Sequence, residues 1–129
     1  MRPVLKRILY VEDESDIRTV TAMALEAVGG FAVICCSSGA EALAKAPDAN
    51  AELILLDVMM PGMDGLATLS ALRGLPQTAD TPVIFMTAKV QASEIQHYMR
   101  LGVTDVIAKP FDPMMLSAQI GEIWQKVAG

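Results

Sequence analysis

Five short runs of apolar residues recur along the chain, and each ends in polar or turn residues. Runs of this length between turn signals predict buried β-strands. The predicted strands are Arg7 to Val11, Phe31 to Cys36, Glu52 to Asp57, Pro82 to Met86 with Thr87 at its end, and Val103 to Ala108. The third is the most informative, because Leu53 to Gly65 reads LILLDVMMPGMDG. Its four apolar residues lead into one carboxylate, Asp57, which a buried strand would place at its carboxyl edge.

Helical spacing of apolar residues predicts a helix after each strand. The predicted helices run from Glu14 to about Val28, from Glu41 to Ala46, from Asp64 through Leu66, Leu69 and Leu72, from Ser93 to Gly102, and onward from Asp112-Pro113. Pro47 is expected to end the second helix, since proline disfavours helical geometry in the residue before it. Asp64 is expected to cap the third helix, and Ser93 with Gln96 fits a capping box for the fourth.

Strands that alternate with helices predict the α/β class, with a doubly wound parallel sheet covered by helices on both faces. The first helix is expected to face the core through Ile17, Val20, Thr21, Ala24 and Val28, and the last through Leu116, Ile120, Ile123 and Val127. A length of 129 residues suits one domain over residues 1–129. No repeat or linker interrupts the pattern.

The carboxyl ends of parallel strands meet at one rim of the sheet. The polar residues predicted at this rim are Glu12 and Asp13 after the first strand, Asp57 on the third, Thr87 on the fourth and Lys109 after the fifth. Their convergence is more specific than any one of them. Three of them also have a plainer interpretation: Asp57 ends a strand and meets water, Thr87 caps a turn, and Lys109 pairs with one acid.

Composition and charge exclude several classes of function. A net charge of −5 argues against nonspecific nucleic-acid binding, which needs clustered basic residues. The longest nearly uncharged apolar stretch, Ala27 to Cys36, is too short to cross a membrane, and the N-terminus is a poor signal peptide. We therefore expect a cytoplasmic protein without membrane insertion. The adjacent Cys35 and Cys36 would alternate faces on a strand and remain reduced.

Repulsion between the rim carboxylates indicates which ligand they would accept. Two carboxylates about 4 Å apart repel by about 4 kcal/mol at an effective dielectric near 20, so three acids need a cation or a raised pKa. Oxygen ligands suit Mg²⁺, and the lone His97 lies on a predicted helix, which argues against a histidine metal site. A phosphoryl group would then meet the charge of Lys109 and the hydroxyl of Thr87, with Asp57 as the nucleophile.

At these residues the sequence resembles the receiver domains of two-component response regulators, of the chemotaxis-regulator type. The matching motifs are VEDE at Val11 to Glu14, LLDVMMPGMDG at Leu55 to Gly65, MTA at Met86 to Ala88 and KPF at Lys109 to Phe111. The resemblance extends over essentially the whole chain. It implies a flavodoxin-like sheet with strand order 2-1-3-4-5.

The resemblance also implies the chemistry of the rim. Asp57 would take phosphate from a histidine kinase or a histidine phosphotransfer protein. Asp13, Asp57 and the backbone carbonyl of Met59 would hold Mg²⁺, and Glu12 would act through water. The protein would catalyse only its own phosphorylation and dephosphorylation, and would otherwise not be an enzyme.

Four further residues shape the implied phosphorylation site and its output. Thr87 and Lys109 would contact the phosphoryl oxygens, a cis bond between Lys109 and Pro110 would shape the loop, and the small Ala88 would leave the phosphate accessible. The family commonly has an aromatic residue where this chain has Val106. That aromatic usually moves with the threonine, and valine has no ring to rotate. The size of the switch is therefore expected to be smaller here.

The expected partners are a kinase and a downstream protein, met through the face made by the fourth helix, fifth strand and fifth helix. The chain ends soon after the last predicted helix, so we expect no output domain and either a stand-alone or an excised receiver, as a monomer or weak dimer. Three alternatives stay open: a docking receiver that is never phosphorylated, a small Mg²⁺-dependent phosphatase of the haloacid-dehalogenase type, and a flavodoxin-like flavin protein. The phosphatase normally has a second acid where Met59 stands, and EDESD after the first strand would repel a flavin phosphate.

Overall fold

A computed structural model describes residues 3–127, in which five strands alternate with five helices. The elements are β1 (Arg7–Val11), α1 (Ser15–Ala27), β2 (Ala32–Cys36), α2 (Gly39–Ala49), β3 (Leu53–Asp57), α3 (Gly65–Arg73), β4 (Val83–Thr87), α4 (Ala92–Arg100), β5 (Asp105–Ala108) and α5 (Pro113–Lys126). None of these helices combines the length and apolar character needed to cross a membrane.

The strands form one parallel sheet in the order β2-β1-β3-β4-β5, which confirms the predicted fold class and strand order. The register aligns the ends of the central strands. Val11 pairs with Leu56, so Glu12 follows β1 at the level where Asp57 ends β3. Thr87, at the end of β4, pairs with Ala108 at the end of β5, directly before Lys109.

Each face of the sheet has its own hydrophobic core. One core packs α2, α3 and α4 against the sheet, and the other packs α1 and α5. All five residues of β3 and all five of β4 are buried, which explains why these two runs are so uniformly apolar in sequence. The strongly buried central strands fix the rim from which the functional side chains project.

The predicted end of the second helix is wrong, because Pro47 lies inside α2. Proline removes one backbone hydrogen bond and crowds the preceding turn. Here Ala42, Ala46 and Ala49 are all buried against the core, and this packing keeps the last turn helical. The helix ends instead at Asn50, whose φ of 51° is in the left-handed region.

The capping box predicted at Ser93 is also wrong. Helix α4 begins at Ala92, its N-cap is Gln91, and no side chain caps it, so Ser93 already lies in the first turn. The predicted cap of the third helix is confirmed, since the Asp64 side chain accepts a hydrogen bond of 2.9 Å from the amide of Ala67.

The predicted inner face of α1 is partly wrong. Thr21 and Ala24 are buried, but Val20 is 53% exposed and Val28 is 49% exposed. Leu25, which is fully buried, lies toward the core instead, because the helix is rotated so that its buried stripe follows residues 21, 24 and 25. At α5 the buried residues include the predicted Leu116 and Ile120, together with Ser117 and Trp124, while Ile123 and Val127 are half-buried.

Candidate functional site

The structure brings together the five polar residues predicted at the rim. Glu12 and Thr87 are fully buried, and Asp57 is only 2% exposed. Asp13 is half-buried, and the Lys109 side chain is 19% exposed. Each residue ends a strand or lies within two residues of its end, so the parallel sheet accounts for a cluster that spans most of the sequence.

Lys109 pairs with two acids at once. Its Nζ lies 2.8 Å from Glu12 Oε1 and 3.2 Å from Asp57 Oδ1. The plainer interpretation, a pair with one acid, therefore understates its role. Burial lowers the pKa of Lys109, but the hydrogen bond to Glu12 and the attraction of Asp57 outweigh burial and raise the pKa overall. The ammonium group is therefore charged when it meets these carboxylates.

Asp57 is an acid in an unusual environment. Burial and, after it, repulsion from Glu12 raise the pKa of Asp57 to about 7, although the nearby Lys109 acts in the opposite direction. Its Oδ1 also accepts a hydrogen bond of 3.3 Å from the backbone amide of Met59. A carboxyl group with such a pKa and a specific charge partner at a sheet rim is a typical candidate for chemistry.

The three acids of the rim form a compact set of oxygen ligands. One carboxylate oxygen each from Glu12, Asp13 and Asp57 lies within 4.8 Å of the others. When all groups are ionised, these carboxylates and the ammonium of Lys109 leave two net negative charges. A small divalent cation that prefers oxygen fits this set in both charge and chemistry. The exposed His97 lies on α4, away from this set.

Thr87 links the end of β4 to two neighbouring segments. Its Oγ1 accepts a hydrogen bond of 3.0 Å from the amide of Lys89, and its carbonyl accepts one of 2.8 Å from the amide of Lys109. The hydroxyl therefore does cap a turn, as the plainer interpretation stated. Because a hydroxyl can accept and donate together, its hydrogen can still be donated to a ligand.

The loop after β5 matches what the sequence implied for it. The Lys109-Pro110 bond is cis, and Ala88 is exposed beside it. A groove of about 510 Å³ opens next to Ala88 and Lys109 and continues to Phe111 and Ile17. Val106 lies half-buried on β5 and packs against the core shared by α2, α3 and α4.

Sequence reasoning missed two residues that shape the site. Arg18 reaches back from α1, and its Nη1 donates to the carbonyls of Glu12 at 2.7 Å and Asp13 at 3.3 Å. Gly65 approaches β3 so closely that a Cβ would lie 2.6 Å from the carbonyl oxygen of Asp57. The only sequence signal for Arg18 is its place in the first turns of the helix that follows the acids.

A comparison with known protein families assigns the chain. The sequence model of the response regulator receiver domain matches residues 8–121. The chain belongs to this family. Receiver domains are signalling domains of two-component systems, and the predicted resemblance is thus confirmed.

Curated relatives include transcriptional regulators of Bacillus subtilis (strain 168). The alkaline phosphatase synthesis transcriptional regulatory protein PhoP is 37% identical over 121 residues, which are 94% of this chain and 49% of that protein. The transcriptional regulatory protein ResD is 40% identical over 107 residues, which are 83% of this chain and 43% of that protein. The chain thus spans about half the length of the curated relatives it matches.

Solved structures with the same fold include two receivers. The chemotaxis protein CheY4 of Vibrio cholerae is 31% identical with a TM-score of 0.85, covering 93% of this chain and 99% of that one. The receiver domain of sensor histidine kinase PA1611 from Pseudomonas aeruginosa PAO1 is 25% identical with a TM-score of 0.81, covering 95% of this chain and 100% of that one. The second structure contains a magnesium ion coordinated in the active site cleft.

Proposed function

We propose that residues 1–129 form one receiver unit in which Asp57 accepts a phosphoryl group from a histidine kinase or a histidine phosphotransfer protein. The observation that supports this most is the position of Asp57: a carboxylate only 2% exposed, at the rim, 3.2 Å from Lys109 and grouped with two further acids. A carboxylate used as a nucleophile needs this combination of a positioned oxygen and nearby charge.

The proposed transfer forms one bond and breaks one. An oxygen of ionised Asp57 attacks the phosphorus of the donor's phosphohistidine, a P–O bond forms, and the P–N bond breaks with its electron pair leaving on the histidine nitrogen. Lys109 and the hydroxyl of Thr87 contact the phosphoryl oxygens and stabilise their charge. Asp57 is thus left as an aspartyl phosphate.

The acids of the rim would hold the metal that this chemistry needs. Glu12, Asp13 and Asp57, with the backbone carbonyl of Met59, are the proposed ligands of Mg²⁺, and Glu12 acts through water. When bound, the ion neutralises phosphoryl oxygens and favours the ionised form of Asp57. This matters because a pKa of about 7 leaves much of the metal-free Asp57 protonated near neutral pH.

The output that we propose is a change at the face made by α4, β5 and α5. The exposed Ala88 leaves room for the donor, and the loop at Pro110 holds Lys109 in reach of Asp57. Val106 lacks the ring that the family commonly has, so backbone movement from Lys89 into α4 accounts for most of the response. The downstream partner is a protein, and the domain acts in signalling and catalyses only its own phosphorylation and dephosphorylation.

Intact mass after incubation with acetyl phosphate and Mg²⁺ tests this function. The wild-type chain should gain the mass of one phosphoryl group, and hydroxylamine should remove it, as expected for an acyl phosphate. Asp57→Asn should gain nothing, whereas Asp48→Asn, which changes an exposed acid on α2, should be labelled like wild type. Equal labelling of Asp57→Asn would assign the phosphate to another residue and refute the proposal.

A further inference from the structure

Two arginines each hold a pair of backbone carbonyls, one arginine at each end of the parallel strands. Arg18 Nη1 bridges the carbonyls of Glu12 and Asp13, at 2.7 Å and 3.3 Å. Arg73 Nη1 bridges the carbonyls of Thr78 and Thr81, at 2.9 Å and 2.6 Å. Helix α3 leads from the rim back to the start of β4, so Arg73, its last residue, lies near the amino ends of the strands. Each arginine therefore donates to two backbone carbonyls, but only the carbonyls held by Arg18 belong to acids of the rim.

Glu12 and Asp13 are held in very different ways. The amide of Glu12 donates to the Cys36 carbonyl at 3.0 Å, and its side chain is paired with Lys109. Within residues 3–127 the carboxylate of Asp13 has no hydrogen-bond or ion-pair partner. What restrains Asp13 is its backbone carbonyl, which accepts from Arg18. The orientation of this acid therefore depends on a contact to its peptide group.

The guanidinium group is suited to holding this peptide. It is planar, permanently charged and has only donors, so it can restrain two adjacent carbonyls without competing for a cation as a ligand. Arg18 is half-buried on α1, which limits the directions its side chain can take. The shorter bond, to Glu12, fixes the end of β1, and the longer one extends that restraint to Asp13.

We propose that Arg18 is a positioning residue for divalent-cation binding: it orients the Glu12 and Asp13 peptides so that the Asp13 carboxylate meets Glu12 and Asp57 around one ion. This inference rests on the proposed magnesium site. Groups that orient metal ligands from behind typically affect affinity by about 10- to 100-fold. The positive charge of Arg18 acts in the opposite direction, because removing that charge would by itself favour cation binding.

Calorimetric titration with Mg²⁺ alone separates positioning from charge and from stability. Arg18→Met should raise the dissociation constant for Mg²⁺ by about tenfold or more. Arg18→Lys should also raise it, since lysine keeps the charge but its Nζ is one bond nearer the main chain than Arg18 Nη1 and falls short of both carbonyls. Arg73→Met is the matched control: it should lower the melting temperature as Arg18→Met does, yet bind Mg²⁺ like wild type.

A double-mutant cycle makes the role specific to Asp13. In an Asp13→Asn background, Arg18→Met should cause little further loss of Mg²⁺ affinity, because the oriented carboxylate is already gone. Wild-type or tighter binding by Arg18→Met would overturn the inference and leave the metal site standing. If the folded wild-type protein gave no heat of Mg²⁺ binding in this titration, the proposed metal site and this inference would both be wrong.

Discussion

Helices α3 and α4 have the same length of nine residues, pack on the same face of the sheet, and each follow a strand that ends at the site. They differ in how firmly they are held. Helix α3 has the Asp64 cap and buries Gly65, Thr68, Leu69 and Leu72. Helix α4 has no side-chain cap and buries only Tyr98.

This difference separates a fixed part of the molecule from a movable one. Elements with few buried apolar groups open at lower free energy than the rest of a domain. Tyr98 packs edge-to-face on Phe85 of β4, with ring centroids 5.4 Å apart, and the Thr87 hydroxyl holds the amide of Lys89. We therefore expect a displacement of Thr87 to reach the start of α4 through the Lys89 amide, while the cap and the core keep α3 in place.

The largest effect is expected at the rim itself, at Lys109. Lys109→Met keeps much of the volume but leaves two buried carboxylates without their cation, so the metal-free protein should lose about 3–4 kcal/mol of unfolding free energy. Urea denaturation with EDTA measures it. Lys45→Met is the control, because Lys45 forms an exposed pair with Glu41 and should change stability little. A loss at Lys109 no larger than at Lys45 would show that the rim is not held by this lysine.

The next effect is a pH dependence at Asp57 in metal-free buffer. Its folded pKa of about 7 lies above the ordinary value of 3.8, so the folded state holds the proton more tightly than the unfolded state. The stability that this provides is fully present below about pH 4 and is lost as pH rises through about 7. Asp57→Asn should therefore be more stable than wild type by about 3–4 kcal/mol at pH 8, with the difference vanishing toward pH 4.

Urea titrations of both proteins across this pH range provide the measurement. Asp48→Asn, an exposed acid on α2, should track the wild-type curve and so controls for general effects of charge. A constant difference between Asp57→Asn and wild type at every pH would show that Asp57 is not the group responsible.

A smaller effect should separate the two helices directly. Tyr98→Ala removes the one buried side chain of α4, and we expect a loss of about 2 kcal/mol, because a surface helix can partly collapse onto the gap. Hydrogen exchange should show faster exchange confined to residues 88–101. Leu69→Ala in α3 is the matched change, and it should instead lower protection across the shared core. Equal and global loss in both variants would remove the distinction between the helices.

The rim could be predicted from sequence because a polar residue directly after a buried parallel strand lies at the carboxyl end of the sheet. Asp57 and Thr87 follow that rule, whereas the strand order is implied only by the family resemblance. The distance between Lys109 and Glu12 could not be predicted, since 97 positions separate them and only the folded sheet brings their side chains together. The helix end predicted at Pro47 is overridden by the packing of the buried alanines of α2, whereas the capping box predicted at Ser93 does not form because α4 begins one residue earlier, at Ala92.

Arg18 was missed for a different reason. Its partners are backbone carbonyls, which every residue has, so no pattern of side chains indicates the contact. Val20 was placed inside because it is apolar and falls near helical spacing, yet it is 53% exposed. A rotation of the helix by less than one residue decides which side of the stripe is buried.

Hydrogen exchange with and without a beryllofluoride phosphate mimic, in the presence of Mg²⁺, shows whether α4 responds to the site while α3 does not. We expect a change in exchange across residues 88–101, covering Lys89 and α4, with little change in α3 at Gly65–Arg73. Asp57→Asn under the same conditions should show no response. A wild-type response limited to the loop after Asp57, or one of equal size in α3 and α4, would contradict the claim that the site is read out through the loosely held helix.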